Sequence, residues 1–236
     1  MKLKFGIIVF PGSNCDDDVV YVIKDILDQE AVKIWHKDTD LQNVDGIIIP
    51  GGFSYGDYLR AGGLAKFSPV MASIENFAKK GGFVFGICNG FQILCEAGLL
   101  PGTLLANDNN RFISKNVYIK VDNRHTMLTN QIDSEYILKI PIAHAEGKYY
   151  APPETITKMR RNGQILFRYC DEFGRLTEEA NPNGSVENIA GICNEEKNVY
   201  GMMPHPERAA DDELGNTDGL LVFKSILHSL TQKIFY

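Results

Sequence analysis

The sequence lacks any apolar run approaching the roughly 18 residues of a membrane span, so no membrane segment is expected. It lacks an excess of positive charge. Its 24 Lys and Arg face 30 Asp and Glu, a formal charge of −6, which argues against binding nucleic acid by neutralising phosphates. It also lacks paired cysteines. There are five, Cys15, Cys88, Cys95, Cys170 and Cys193, and an odd, scattered set fits neither a disulfide framework nor a structural zinc site. A reducing, cytoplasmic setting with a thiol free to react is the expectation. The basic start Met1-Lys2-Leu3-Lys4 turns apolar like a secretory leader. The apolar stretch is short, however, and ends at Pro11-Gly12-Ser13-Asn14 without a small-residue cleavage pattern, so a first core strand is expected. No repeat, low-complexity tract or linker interrupts the 236 residues, and residues 1–236 read as a single domain.

What is present is a regular alternation of strand and helix signals. Strands are expected at Leu3–Phe10, Ala31–Trp35, Gly46–Ile49 and Gly82–Ile87. Helices are expected at Asp16–Leu27, capped by Ser13 or Asn14, and at Pro69–Lys80 and Phe91–Ala97. The stretch from about Val117 to Tyr169 alternates like antiparallel strands, Ile189–Cys193 and Val199–Met203 read as a hairpin, and Asp218–Leu230 as a closing helix. The class is α/β: a flavodoxin-like three-layer sandwich with a mostly parallel central sheet and a smaller antiparallel section. Ligands are expected beyond the carboxyl ends of the parallel strands.

The stretch Phe83-Val84-Phe85-Gly86-Ile87-Cys88-Asn89-Gly90-Phe91-Gln92 runs a buried strand into Gly-x-Cys-x-Gly and then a helix. This is the pattern of a nucleophile elbow with sulfur in place of the serine oxygen. The turn holds the nucleophile at the tip of the sheet. The glycines remove colliding side chains, and the helix start favours a thiolate and a developing oxyanion. Cys15 is the rival, since it also follows a strand, but Asp16, Asp17 and Asp18 beside it are expected to raise its pKa. A base for the thiol is offered by Met203-Pro204-His205-Pro206-Glu207-Arg208. If that segment is extended, Glu207 lies on the same side as His205 and fixes its tautomer. The glycine-rich loop Pro50-Gly51-Gly52-Phe53-Ser54-Tyr55-Gly56-Asp57 leaves a strand and suits close backbone approach to a ligand, without the Lys-Ser or Lys-Thr of a phosphate loop. A long surface turn is the plainer reading of the same loop.

Together these pieces resemble the class I (triad) glutamine amidotransferases. The likeness extends from about Lys4 to Leu230 and includes Phe10-Pro11-Gly12-Ser13-Asn14-Cys15-Asp16, Gly51-Gly52-Phe53-Ser54-Tyr55-Gly56-Asp57-Tyr58-Leu59-Arg60-Ala61-Gly62, His144-Ala145-Glu146-Gly147-Lys148-Tyr149 and Asn181-Pro182-Asn183-Gly184-Ser185. The resemblance implies Cys88 as nucleophile, His205 as general base and acid, and Glu207 as its orienter. It implies an oxyanion hole from the backbones of Gly52, Phe53 and Asn89, and a pocket for L-glutamine bordered by Gly51, Gln92, His144, Glu146 and Gly147. It implies no metal and no cofactor in this chain. Ammonia would pass to a separate synthetase subunit that uses ATP and magnesium to amidate formylglycinamide ribonucleotide in purine biosynthesis, with a small third subunit in the complex and Arg60 as a partner contact. A glutaminase serving another synthetase, a cysteine peptidase or amidase of similar fold, and a non-catalytic scaffold subunit are the rival readings.

Overall fold

A computed structural model describes residues 2–233. Eleven strands and five α-helices alternate along these residues. The first half contains β1 (Lys4–Val9), α1 (Asp16–Tyr21), β2 (Glu30–Trp35), β3 (Gly46–Ile49), α2 (Pro69–Lys79), β4 (Phe83–Ile87) and α3 (Asn89–Glu96). The second half contains β5 (Thr103–Leu105), β6 (Ile113–Val121), β7 (Ile137–His144), β8 (Lys148–Tyr150), α4 (Pro153–Asn162), β9 (Ile165–Cys170), β10 (Ile189–Cys193), β11 (Val199–Met202) and α5 (Leu220–Lys233). Among these residues no helix is long and apolar enough to cross a membrane.

One nine-stranded sheet organises the molecule, in the order β2-β1-β3-β4-β11-β10-β9-β6-β7, and β5 and β8 form a separate pair. The α/β class expected from the sequence is the class that forms. Contacts from β2 across to β11 are parallel, and those from β11 to β7 are antiparallel. The antiparallel section is therefore a continuation of the central sheet. The parallel strands β3, β4 and β11 are buried at every residue, which is why they read as continuous apolar runs rather than alternating ones.

Several expectations are corrected. The first helix is capped by Cys15, not by Ser13 or Asn14, and it continues past Tyr21 as a π-helical turn, Val22–Ile26. The middle of the chain contains α4, which the strand-like reading passed over. Only Ile156 and Met159 of this helix are buried, so its apolar face is narrow and most of its residues are polar. Its punctuation was nonetheless in the sequence: Pro153 in the first turn, Arg160 and Arg161 in the last, and Gly163 in the left-handed conformation after it.

The topology decides where chemistry can sit. Strands β1, β3, β4 and β11 are adjacent and parallel, so their carboxyl ends share one edge of the sheet. The chain leaves those ends at Phe10, Pro50, Cys88 and Met203. The order also reverses between β1 and β3, the switch point at which open α/β sheets leave a crevice. A cavity of about 700 Å³ is elsewhere. It adjoins the start of β11 and is lined by Gly81, Leu100, Lys158 and Asn198, without a nucleophile and base.

Candidate active site

Cys88 occupies the turn between β4 and α3 with φ 50° and ψ −105°. A side chain with a Cβ strains in that region, at a cost on the order of 1–3 kcal/mol, and such strain persists only where the surroundings enforce it. Here the enforcement is visible. The Cys88 amide donates to Met202 O at 2.8 Å, and Gln92 N returns to Cys88 O at 3.1 Å. Any Cβ on Gly90 would lie 1.9 Å from Ile49 O, and one on Gly86 would meet Gly90 carbonyl atoms at 2.6 Å. The elbow glycines are thus the sites where helix, elbow strand and β3 touch backbone to backbone. Cys88 is 4% exposed, and its sulfur faces Ala143 O at 3.7 Å.

His205 arrives on the segment after β11, with its amide bonded to Pro141 O at 2.8 Å. Its Nδ1 lies 2.6 Å from Glu207 Oε1, and both side chains are essentially inaccessible to solvent. The segment is not extended as expected. Pro206–Arg208 form a 3-10 turn, and this curl brings the carboxylate back to the ring. Burial opposes a charge on His205, but Glu207, then Cys88, with contacts to Cys15 and Cys88, outweigh it and hold the imidazole well above its ordinary pKa. Its Nε2 has no hydrogen-bond partner. Glu207 meets the ring directly, and Cys88 lies close enough to favour its charged form.

The β3 loop departs from expectation in one donor. The Phe53 amide is bonded to Gly12 O at 2.8 Å and is not available to an oxyanion. The reason is that Gly12–Cys15 runs alongside the loop, with Ser13 bridged to Gly52. Among the described residues the amides of Gly52 and Asn89 are left without an intramolecular acceptor. Gly52 has φ +151°, and a Cβ there would meet Ser13 Cα at 2.7 Å, so the loop accepts only glycine. Gly51 is held by packing beside the His205 ring. Its carbonyl accepts from Cys15 N, and a Cβ would strike His205 Cε1 at 2.7 Å.

The remaining candidates divide. Gln92 is buried on α3, accepts from Asn89 Nδ2 at 2.9 Å and donates to Glu146 O at 2.6 Å, so it joins the elbow helix to the Glu146 turn. Glu146 itself accepts from Ala61 N at 3.1 Å. His144 is not a free base. Its Nδ1 lies 3.1 Å from Asn107 Oδ1, and burial, then the charge of His205, push its pKa down to about 4. Gly147 passes so close to that ring that a Cβ would lie 2.1 Å from Cε1. Arg60 pairs with Glu96 at 2.6 Å and remains half exposed.

The sequence singled out Asn181–Ser185 without a role and left Asn107 unmarked, yet these residues hold this turn. Asn107 accepts from Gly147 N and donates to His144 O, and Asn183 donates to Gly147 O at 2.8 Å. Ser185 Oγ accepts from Tyr149 N at 3.0 Å. Asn181-Pro182-Asn183-Gly184-Ser185 is therefore a clamp on the Glu146–Tyr149 backbone, and its density of side-chain amides was the available signal. Asp57 was also missed. Burial, then Glu146, push its pKa up to about 6, beside Asn89 Nδ2 at 3.4 Å. Cys15, the rival nucleophile, has a raised pKa as expected but for another reason. Burial dominates, because Asp16 and Asp17 are occupied by Lys33 and Asp18 by Arg208.

Residues 2–222 match the CobB/CobQ-like glutamine amidotransferase domain. The phosphoribosylformylglycinamidine synthase subunit PurQ of Salinibacter ruber is 52% identical over 231 residues, covering 98% of each chain. That of Aquifex aeolicus is 55% identical over 225 residues, covering 95% of this chain and 99% of its own. The chain belongs to the PurQ family of glutamine amidotransferases. A structure of PurLQS from Thermotoga maritima contains a chain that superposes with a TM-score of 0.86 at 40% identity, covering 98% of this PurQ-family chain and 100% of that one. The match spans the elbow, the glycine loop and the His-Pro-Glu turn alike.

Proposed function

We propose that this chain is the glutaminase subunit of a phosphoribosylformylglycinamidine synthase, with Cys88 as nucleophile, His205 as base and acid, and Glu207 as the group that orients and charges His205. The observation that carries the reading is the Glu207–His205 contact of 2.6 Å in a buried pocket, beside a strained cysteine at the tip of the sheet. His205 takes the proton of Cys88, and the thiolate attacks the side-chain amide carbon of glutamine. The amides of Gly52 and Asn89 receive the oxyanion, an effect worth about 3–4 kcal/mol per donor in comparable sites. Collapse expels ammonia, protonated by His205, and leaves a thioester on Cys88. Water, deprotonated by His205, then releases glutamate. Gln92, Glu146 and the Gly147 turn border the glutamine.

The name of the Thermotoga maritima assembly, PurLQS, places a PurQ chain with other subunits. By that likeness the ammonia of this chain passes to a separate synthetase that uses ATP and magnesium, with a small third subunit, in the cytoplasm. Arg60 and the exposed Tyr58 and Leu59 near it lie on the face offered to that partner. The test is Cys88→Ala. The variant, assembled with the synthetase, is expected to lose glutamine-dependent amidation and keep amidation driven by added ammonium. Glutamine turnover surviving in the variant would defeat the reading.

A further inference from the structure

Cys15 takes no part in the chemistry above, yet it is built into the site from two directions. Its amide donates to Gly51 O at 3.2 Å, at the root of the oxyanion loop. Its sulfur donates to Asn14 Oδ1 at 3.1 Å and accepts from Arg208 Nη2 at 3.1 Å. The same sulfur lies within 4.8 Å of a ring nitrogen of His205 and of a carboxylate oxygen of Glu207. The space between is filled. A Cβ on Gly51 would meet the sulfur at 3.0 Å and His205 Cε1 at 2.7 Å. Two fully buried atoms of the pair, His205 Nε2 and Glu207 Oε2, have no hydrogen-bond partner. Hydrogen bonds alone therefore do not fix this pair, and its neighbours must do so by contact.

We infer that Cys15 is a positioning residue, whose sulfur, pinned by Asn14 and Arg208, holds the His205 ring in register with the oxyanion loop through Gly51. The inference rests on the proposed roles of Cys88, His205 and Glu207. It explains why a thiol suits this place. Sulfur is bulky and polarisable, donates and accepts only weakly, and burial raises its pKa, so it acts on the ring chiefly by contact. It also explains why the turn Pro11–Cys15 runs along the loop. Gly12 O takes the Phe53 amide and Pro11 O takes the Tyr55 amide, so the element that carries Cys15 shapes the loop as well.

The groups facing His205 are Glu207 on its own turn, Cys88 on the elbow, Cys15 on the β1–α1 turn and His144 at the end of β7. Arg208 and Asp18 lie behind Cys15. Removing the Cys15 contact removes one of the groups that favour the charged ring. The experiment measures glutamine hydrolysis against pH for Cys15→Ala and Cys15→Ser, each as the full chain assembled with its synthetase. Cys15→Ala is expected to lose about 10- to 100-fold in kcat, as displaced catalytic groups do, with KM kept within about twofold. The alkaline limb of its pH profile moves to lower pH, and Cys15→Ser recovers most of the loss. Should Cys15→Ala fail to melt cooperatively, Arg208→Gln, which unpins the sulfur and leaves Cys15 in place, is expected to show a smaller kcat loss with KM again kept. Wild-type kcat and pH profile in Cys15→Ala, or in Arg208→Gln where that variant stands in, would overturn the inference. Labelling by an electrophilic glutamine analogue separates the two levels. Wild-type label on Cys15 instead of Cys88 would overturn the nucleophile assignment itself, whereas label on Cys88 with unaltered kinetics in the Cys15 variants overturns only the positioning role.

Discussion

Replacing Glu207 by Gln removes one charge and almost no volume from the buried contact with His205. The two side chains are 2% and 0% exposed and 2.6 Å apart, so solvent cannot compensate for the loss. A hydrogen bond to a charged partner contributes about 1.5–3 kcal/mol and a neutral one about 0.5–1.5. The difference, about 1–2 kcal/mol, corresponds to roughly 5–30-fold in any step that needs the imidazolium. If the amide turns its NH2 toward Nδ1, the ring is forced into the wrong tautomer and the loss in kcat rises to about 10⁴-fold. Stability changes with a defined sign. The folded pKa of His205 is raised, so its contribution is complete below the ordinary histidine value of about 6.5 and is lost as pH climbs through the folded value. In the variant burial acts unopposed by Glu207. The melting gap between wild type and variant is therefore expected to be widest near about pH 6, at about 2–8 °C, and to narrow at the alkaline pH where the folded ring loses its proton. Thermal melts at both pH values and iodoacetamide rates at neutral pH provide the assay. An equal gap at both pH values, or an unchanged alkylation rate, would refute the coupling of His205 to Glu207.

Two further substitutions test the frame around the chemistry. Gly90→Ala would place a Cβ 1.9 Å from Ile49 O, so overpacking is expected to cost about 1–3 kcal/mol in a thermal melt and to reduce turnover by shifting the elbow; a wild-type melt would contradict the close packing. Asn107→Ala removes the contacts to His144 and the Gly147 amide, and is expected to raise the KM for glutamine more than it lowers kcat; an unchanged KM would remove the Gly147 turn from the substrate pocket.

The parts of the fold that the sequence made legible are those where one force dominates. Gly46–Ile49 was read to its boundaries because a parallel strand buried on both faces leaves an uninterrupted apolar run. The elbow and the His-Pro-Glu turn were legible because their residue types have few other uses in that order. Helix α4 was not, since an apolar face of two buried residues is short, and its Pro, Arg and Gly punctuation was weaker than the strand-like alternation around it. The bond from Phe53 N to Gly12 O was invisible because it joins segments 41 residues apart, and no local pattern announces a backbone amide already in use. The same holds for Cys15. Its neighbours in sequence are acids, whereas its neighbours in space are Arg208 and His205. Charge along the chain gave the right direction for its pKa and the wrong cause.

The central claim is that Cys88 is the sulfur that His205 activates. Mass spectrometry of the wild-type chain, acid-quenched during glutamine turnover or labelled by an electrophilic glutamine analogue, tests it most directly. A single glutamyl adduct on the peptide carrying Cys88, absent when His205 is replaced by Ala, is the expected result. An adduct on Cys15, or an undiminished Cys88 adduct without the imidazole, would contradict it.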